Sequence, residues 1–243
     1  MDYIPIDFLT ILFVIIFFTI LQSLFGVGLL VFGTPTLLLL DYNFYQTLSY
    51  LLPASVAVSL LQMRNGWLQI KFYKKAVIQY MLPAVVLGLF FVIYSSNLKI
   101  NLLIGIMLLL TFTIRFSDAI NKKLEIILAD NFRLGFLLTG FIHGLTNLGG
   151  ASLVIITNAL YKDKKEIQSN ISYAYFFMAL SQLMVLLITS NFIFSSYALI
   201  LPLVSGIIYS YIGNYIFNLS SEKFYFNLMS FFILVYGILL ILK

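Results

Sequence analysis

Eight stretches free of acidic and basic residues divide this chain: residues 8–40, 46–63, 76–95, 100–114, 134–160, 168–190, 195–217 and 224–242. A helix crossing a bilayer takes about 20 apolar residues, so most of these stretches predict one spanning helix each. Two do not fit that length. Residues 8–40 and 134–160 are too long for one crossing, and both are interrupted, by Leu24-Phe25-Gly26-Val27-Gly28 and by Leu145-Thr146-Asn147-Leu148-Gly149-Gly150. Each predicts a discontinuous helix, with a second helical piece opening after Gly28 and after Gly150. The longest polar stretch, from Arg115 to Arg133, reads as a short amphipathic connector.

The two interrupted runs sit at matching places in the two halves. A shift of 121 residues pairs Gln22 with His143, Leu24 with Leu145, Gly28 with Gly149 and Thr36 with Thr157. A shift of 123 pairs Leu48-Ser49-Tyr50 with Ile171-Ser172-Tyr173, and a shift of 119 pairs Leu82-Pro83 with Leu201-Pro202, followed by Gly88 and Gly206. Ordered matches of this kind indicate duplication. The fold class expected is an all-α polytopic membrane protein of two inverted four-segment repeats, each beginning with a glycine-broken helix. The expected divisions are a first membrane repeat over 1–114, a cytoplasmic connector over 115–133 and a second repeat over 134–243.

The expectation of inversion comes from charge. If every long run crosses once, basic residues divide nine (Arg64, Lys71, Lys74, Lys75, Arg115, Lys122, Lys123, Arg133, Lys243) against five. If 134–160 instead enters and leaves by one face, Lys162, Lys164, Lys165 and Lys223 join the first group, Lys243 leaves it, and the division becomes twelve to two. Cytoplasmic loops concentrate lysine and arginine, which favours the hairpin. Treating 8–40 in the same way leaves three crossings and one hairpin per half, and an odd number of crossings inverts a repeat. The first run has no basic residue to orient it, and a full crossing with a short return stays open there.

Composition narrows the class further. Hydrophobic residues make up 62% of the chain, charged residues 9%, and mean hydropathy is +1.04, the profile of an integral membrane protein. The opening run lacks a basic n-region and a small-residue cleavage site, so it is expected to stay in the mature fold. With no cysteine, disulfides, thiolate metal sites and a cysteine nucleophile are excluded. No cofactor or nucleic-acid partner is expected. The expected partners are the bilayer and a small anionic solute, with a second copy of the chain as a candidate.

Unpaired backbone in hydrocarbon costs several kcal/mol per group, so a broken helix persists only where protein, water or a ligand satisfies the freed amides. Half-helix N-termini present free N–H groups and a positive dipole end, which favour an anion without lysine or arginine. The glycines also have a packing use, since small residues let membrane helices approach closely. His143 is the only histidine and lies one turn before Asn147. It suits donation to an anion, carriage of a coupling proton, or an interhelical hydrogen bond. The candidate solute-binding residues are Gln22, Gly26, Gly28, Ser49, His143, Asn147, Gly149, Gly150 and Ser172.

An enzyme is not expected. No HExxH or GxSxG pattern occurs, Ser152 is separated from His143 by the break, and all nine carboxylates lie in loops or at segment ends. A non-transporting membrane subunit or assembly factor is the alternative class.

Two similar halves, each opening on an apolar run with a Gly-x-Gly-type break and each carrying a later Leu-Pro with glycine, resemble the TauE/SafE sulfite-exporter family of bacterial membrane transporters. The resemblance covers nearly the whole chain. It implies movement of small sulfur anions such as sulfite or organosulfonates across the cytoplasmic membrane.

Overall fold

The computed structural model describes residues 6–70, 73–95, 97–195, 199–219 and 222–243, and no strand occurs among them. The helices are α1 (Ile6–Phe25), α2 (Leu29–Leu39), α3 (Phe44–Asn65), α4 (Tyr73–Ala76), α5 (Leu82–Tyr94), α6 (Ile100–Phe116) and α7 (Asp118–Asp130). They continue as α8 (Phe132–Thr146), α9 (Gly150–Leu160), α10 (Lys164–Ile188), α11 (Ile200–Ile208), α12 (Asn214–Leu219) and α13 (Glu222–Leu242). A wide π turn over Val77–Met81 joins α4 to α5. Pro83, in the first turn of α5, has no N–H to donate one turn back, and the ladder loosens there.

Among the described residues four helices are long and apolar enough to cross a membrane: Asp7–Leu24, Phe44–Asn65, Lys74–Tyr94 and Lys164–Ile188. Shorter apolar helices, Leu29–Leu39, Gly150–Leu160, Ile200–Gly213 and Asn227–Leu242, complete the bundle. Exposed side chains such as Phe13, Leu87, Leu203 and Phe231 are large and apolar, as a lipid-facing surface requires. The chain is a multi-pass membrane protein. The connector forms α7, which bends 99° away from α6 and packs on α9.

The order of elements repeats. α2 and α9 are both eleven residues long and stand 121 positions apart from end to end. The long helices α3 and α10 start after side-chain caps 120 positions apart. Asn43 accepts from the Gln46 amide, and Asp163 accepts from Lys165 and Glu166. That start fixes the register, and it corrects one pairing expected from sequence. At an offset of 120, Ser49 corresponds to Ser169 and Ser172 to Leu52, so Leu48-Ser49-Tyr50 and Ile171-Ser172-Tyr173 are not structural equivalents. A chance tripeptide match one helical turn out of register looked like repetition.

α3 and α10 run antiparallel. Near the start of α10, Ser172 Oγ donates to Gln62 Oε1 (3.2 Å) and Asn170 Nδ2 to the Gln69 carbonyl (3.2 Å). Past its end, the Ile193 amide donates to Ser49 Oγ near the start of α3 (3.0 Å). α6 and α13 are also antiparallel, with Gly105 against Ile241 and Arg115 Nε donating to Ser230 Oγ (3.4 Å). Lys243 pairs with Asp41 (2.6 Å) and donates to the Leu38 (2.7 Å) and Leu39 (3.0 Å) carbonyls, closing the C-terminal end of α2.

α5 packs on α8 through backbone. A Cβ at Gly140 would strike the Met81 carbonyl, one at Gly144 the Val85 carbonyl, and one at Gly88 would lie 2.5 Å from the Phe141 carbonyl. Gly140 and Gly144, four apart, present the small-residue stripe that lets membrane helices touch. Gly206 differs from Gly88, because its nearest neighbour would be Leu61 Cδ1 at 3.6 Å. Gly140→Ala and Gly144→Ala should therefore each lower stability by about 1–3 kcal/mol, the usual cost of overpacking. Gly206→Ala should leave it unchanged or raise it, and thermal unfolding in detergent measures all three.

Candidate functional site

Both breaks are built alike. α1 stops at Phe25, Gly26 turns into the left-handed region (φ +78°), and its N–H donates back to the Gln22 carbonyl (2.8 Å). α8 stops at Thr146, Asn147 takes the same conformation (φ +63°), and its N–H donates to the His143 carbonyl (2.7 Å). Asparagine is among the few non-glycine residues that visit this region routinely, so only the first break needs glycine here. The chain then doubles back onto the preceding turn. A Cβ at Gly28 would lie 2.7 Å from Gln22 N, and one at Gly149 2.6 Å from His143 Cβ. α2 opens on Gly28, as expected. α9 opens on Gly149, with Gly150 already its first residue, one position earlier than the sequence implied.

A glutamine from the long helix of the same half completes each break. Gln62 Nε2 donates to the Gln22 carbonyl (3.0 Å), and Gln182 Nε2 donates to the His143 carbonyl (3.2 Å). The carbonyl that the break would orphan thus accepts two hydrogen bonds in each half. Neither α2 nor α9 has a side-chain N-cap, so the amides of both first turns are left to other partners.

The breaks lie close together. Asn147 Nδ2 donates to Thr34 Oγ1 of α2 (2.8 Å). A Cβ at Gly26 would press on Ile171 and Ser172, and one at Gly150 on the Tyr175 hydroxyl and on Val31. Ser172 and Tyr175 are three residues apart on one face of α10, so both breaks lie against the same face of that helix.

Gln22, His143, Asn147 and Ser172 are brought to this region and are fully buried. Gln22 Nε2 donates to Ser59 Oγ (3.1 Å), while its Oε1 has no hydrogen-bond partner. Neither ring nitrogen of His143 meets one either; its ring lies edge-on to Tyr175, with centroids 5.8 Å apart, and the Gln182 amide flanks it. Ser172 donates to the Gln168 (2.7 Å) carbonyl as well as to Gln62. Ser49 is engaged elsewhere, donating to the Tyr45 carbonyl (2.7 Å) and accepting from Ile193. Ser152 donates to the Gly149 carbonyl (3.0 Å) rather than to His143.

Gln62, Ser59, Thr34 and Tyr175 were not singled out by sequence. The spacing of 120 between Gln62 and Gln182 was the available signal, and it was masked by the competing serine match. No lysine or arginine occurs in residues 8–40 or 134–160. Among the described residues no group of three histidine, cysteine or carboxylate side chains is placed to hold a metal.

A multi-pass membrane protein in which two discontinuous helices meet in the interior has the architecture of a secondary transporter. The family model described as sulfite exporter TauE/SafE matches residues 11–240, and the chain belongs to that family of membrane anion exporters. No curated protein and no solved structure matches the chain.

The left-handed turn at Asn147 makes a direct prediction. Asn147→Gly keeps the conformation and loses only the bond to Thr34, whereas Asn147→Leu also forces a branched side chain to φ +63°. Leucine should cost about 1–2 kcal/mol more than glycine, read as the difference in detergent unfolding midpoints.

Proposed function

We propose that this chain moves small sulfur-containing anions, of the sulfite or organosulfonate type, across the cytoplasmic membrane. The solute binds near the midplane, between the two breaks. The observation that carries this reading is the pair of uncapped helix N-termini brought against one face of α10, in two broken runs without lysine or arginine. Backbone amides of α2 and α9 supply the donors, with Gln22, His143 and Asn147 beside them. Gly26, Gly28, Gly149 and Gly150 let backbone come close enough to serve. Ser172 lines the first break, and Ser49 lies outside the set.

The same reading treats the halves as inverted repeats with both broken runs re-entrant. Equivalent helices pack antiparallel, as α3 with α10 and α6 with α13. Gly66 meets Ser169, and Asp41 meets Lys243. If every long run crossed once, the members of each of these two pairs would fall on opposite faces. Asp7 at the start of α1 acts on Tyr42 just past the end of α2. The Tyr42 phenol is pushed up by partial burial first and then by that carboxylate. That interaction supports putting both ends of the first hairpin on one face.

Two measurements test this reading. In the cysteine-free chain, Lys99→Cys should react with an impermeant maleimide from outside intact cells, and Lys165→Cys only after the inner face is opened. Equal labelling of both from outside would overturn the topology, since single crossings put these two loops together. In proteoliposomes, the parent should carry sulfite down its gradient. His143→Gln should keep substantial flux because Gln22 holds the equivalent place, while His143→Leu should lose at least tenfold. Absence of sulfite flux from a folded parent would leave a non-transporting subunit as the reading.

A further inference from the structure

The two breaks share their backbone but not their polar surroundings. At the first, Gln62 Oε1 accepts from Ser172. At the second, the residue at the register position of Ser172 is Leu52, which has no donor, and Gln182 Oε1 is buried without a hydrogen-bond partner. Thr139 Oγ1, Asn147 Oδ1 and both His143 ring nitrogens are also buried and unpartnered. Thr139 stands where the first half has Phe18. Gln22 Oε1 and Thr19 Oγ1 are unmet near the first break too, but the larger set gathers where α9 begins, with Gly149 seated on His143 and on the Thr139 carbonyl.

The chemistry of this set is constrained. The Gln182 amide cannot be turned, because its nitrogen faces the His143 carbonyl, which only accepts. Its oxygen is therefore an acceptor. A neutral imidazole adds one N–H and one lone pair. Turning that N–H toward Gln182 Oε1 leaves the lone pair facing the solute. The Thr139 hydroxyl adds one donor and Asn147 Oδ1 one acceptor, so two donors face three acceptors, one acceptor stays unmet in every arrangement, and an oxyanion composed only of acceptors would be repelled by it. The charge available is also small, since one helix end contributes about half an elementary charge and no basic side chain lies in either broken run.

We propose that, of the two breaks flanking the solute, the second makes the selective contacts, and that the solute is a singly charged anion carrying its own hydrogen-bond donor, read by Gln182 with His143. The chemical class is a protonated oxyanion or a hydroxyl- or amino-bearing sulfonate. This rests on the anion reading above and adds to it a requirement for a donor.

Isethionate and ethanesulfonate test it, being alike in charge and differing by one hydroxyl. Affinities come from the ligand-dependent rise in unfolding temperature of the purified protein. Isethionate should bind the parent at least tenfold more tightly, because a buried acceptor left unpaired penalises the analogue that lacks the donor. Gln182→Leu, or Gln182→Met should leucine fail to fold, should bring that ratio close to one. Gln62→Leu should weaken both ligands alike and keep the ratio, because its oxygen already has Ser172. A purely structural cap would make the two glutamines behave identically. Equal affinities in the parent, or a ratio unmoved by loss of Gln182, would overturn the proposal while leaving sulfite flux intact. Tight ethanesulfonate binding with uptake of a buffer proton would overturn it too, by placing the donor on His143. If neither sulfonate bound and no sulfite moved, the anion reading itself would fall.

Discussion

Buried backbone must be paired, and in this fold the carbonyls of Gln22 and His143 carry that constraint. Each accepts the hydrogen bond of the left-handed residue at which a helix stops inside the molecule. Each is satisfied twice, by the amide of the left-handed residue four positions on and by a glutamine from the neighbouring long helix. Without those bonds an interrupted helix at membrane depth would carry a penalty of several kcal/mol per group. The antiparallel core of α3 and α10 is what delivers the glutamines, so the central packing and the breaks cannot be varied independently. The α5–α8 contact, where glycines rest on carbonyls, then fixes where α8 ends.

Much of this was legible because membrane helices are written in long uncharged runs whose excess length is visible. Residues 8–40 and 134–160 were too long, and glycine with asparagine marked where they break. The 121-residue spacing of the breaks was legible for the same reason, since close backbone approach restricts residue choice at Gly28 and Gly149. Register within α3 and α10 was not. An apolar helix constrains side-chain identity weakly, and Leu-Ser-Tyr matched Ile-Ser-Tyr one turn away from the true equivalence set by the Asn43 and Asp163 caps. The glutamines at 62 and 182 obey the true register, but a lone glutamine in a membrane helix reads as an ordinary interhelical hydrogen bond until its partner is seen. Gly88 and Gly206 show the converse, a match in sequence whose members meet different surroundings.

The two breaks share a backbone plan but differ in their side chains. Gly26 and Asn147 solve one conformational problem, but only asparagine adds a side chain, and it reaches Thr34 in the other half. Through that bond, α2 of the first half and the second break hold each other. The Tyr175 hydroxyl against Gly150 and Ser172 against Gly26 place α10 beside both breaks at once. A movement of α10 along its axis would therefore alter both breaks together, which gives two half-helices distant in sequence a common mechanical support.

Polarity in such an interior is useful only where it is left unfinished. The first break spends its Gln62 oxygen on Ser172 and leaves Gln22 Oε1 unpaired, while the second keeps atoms of Gln182, His143, Asn147 and Thr139 unpaired. Leaving a buried polar atom unsatisfied costs about 1–3 kcal/mol, and a merely structural break would have no reason to keep several together. The symmetric partner shows that the fold can satisfy the equivalent oxygen, since one serine on α10 does so. Leu52 in place of that serine on α3 leaves the Gln182 oxygen without the donor its counterpart has, and that difference is the ground for assigning the solute's donor to the second half.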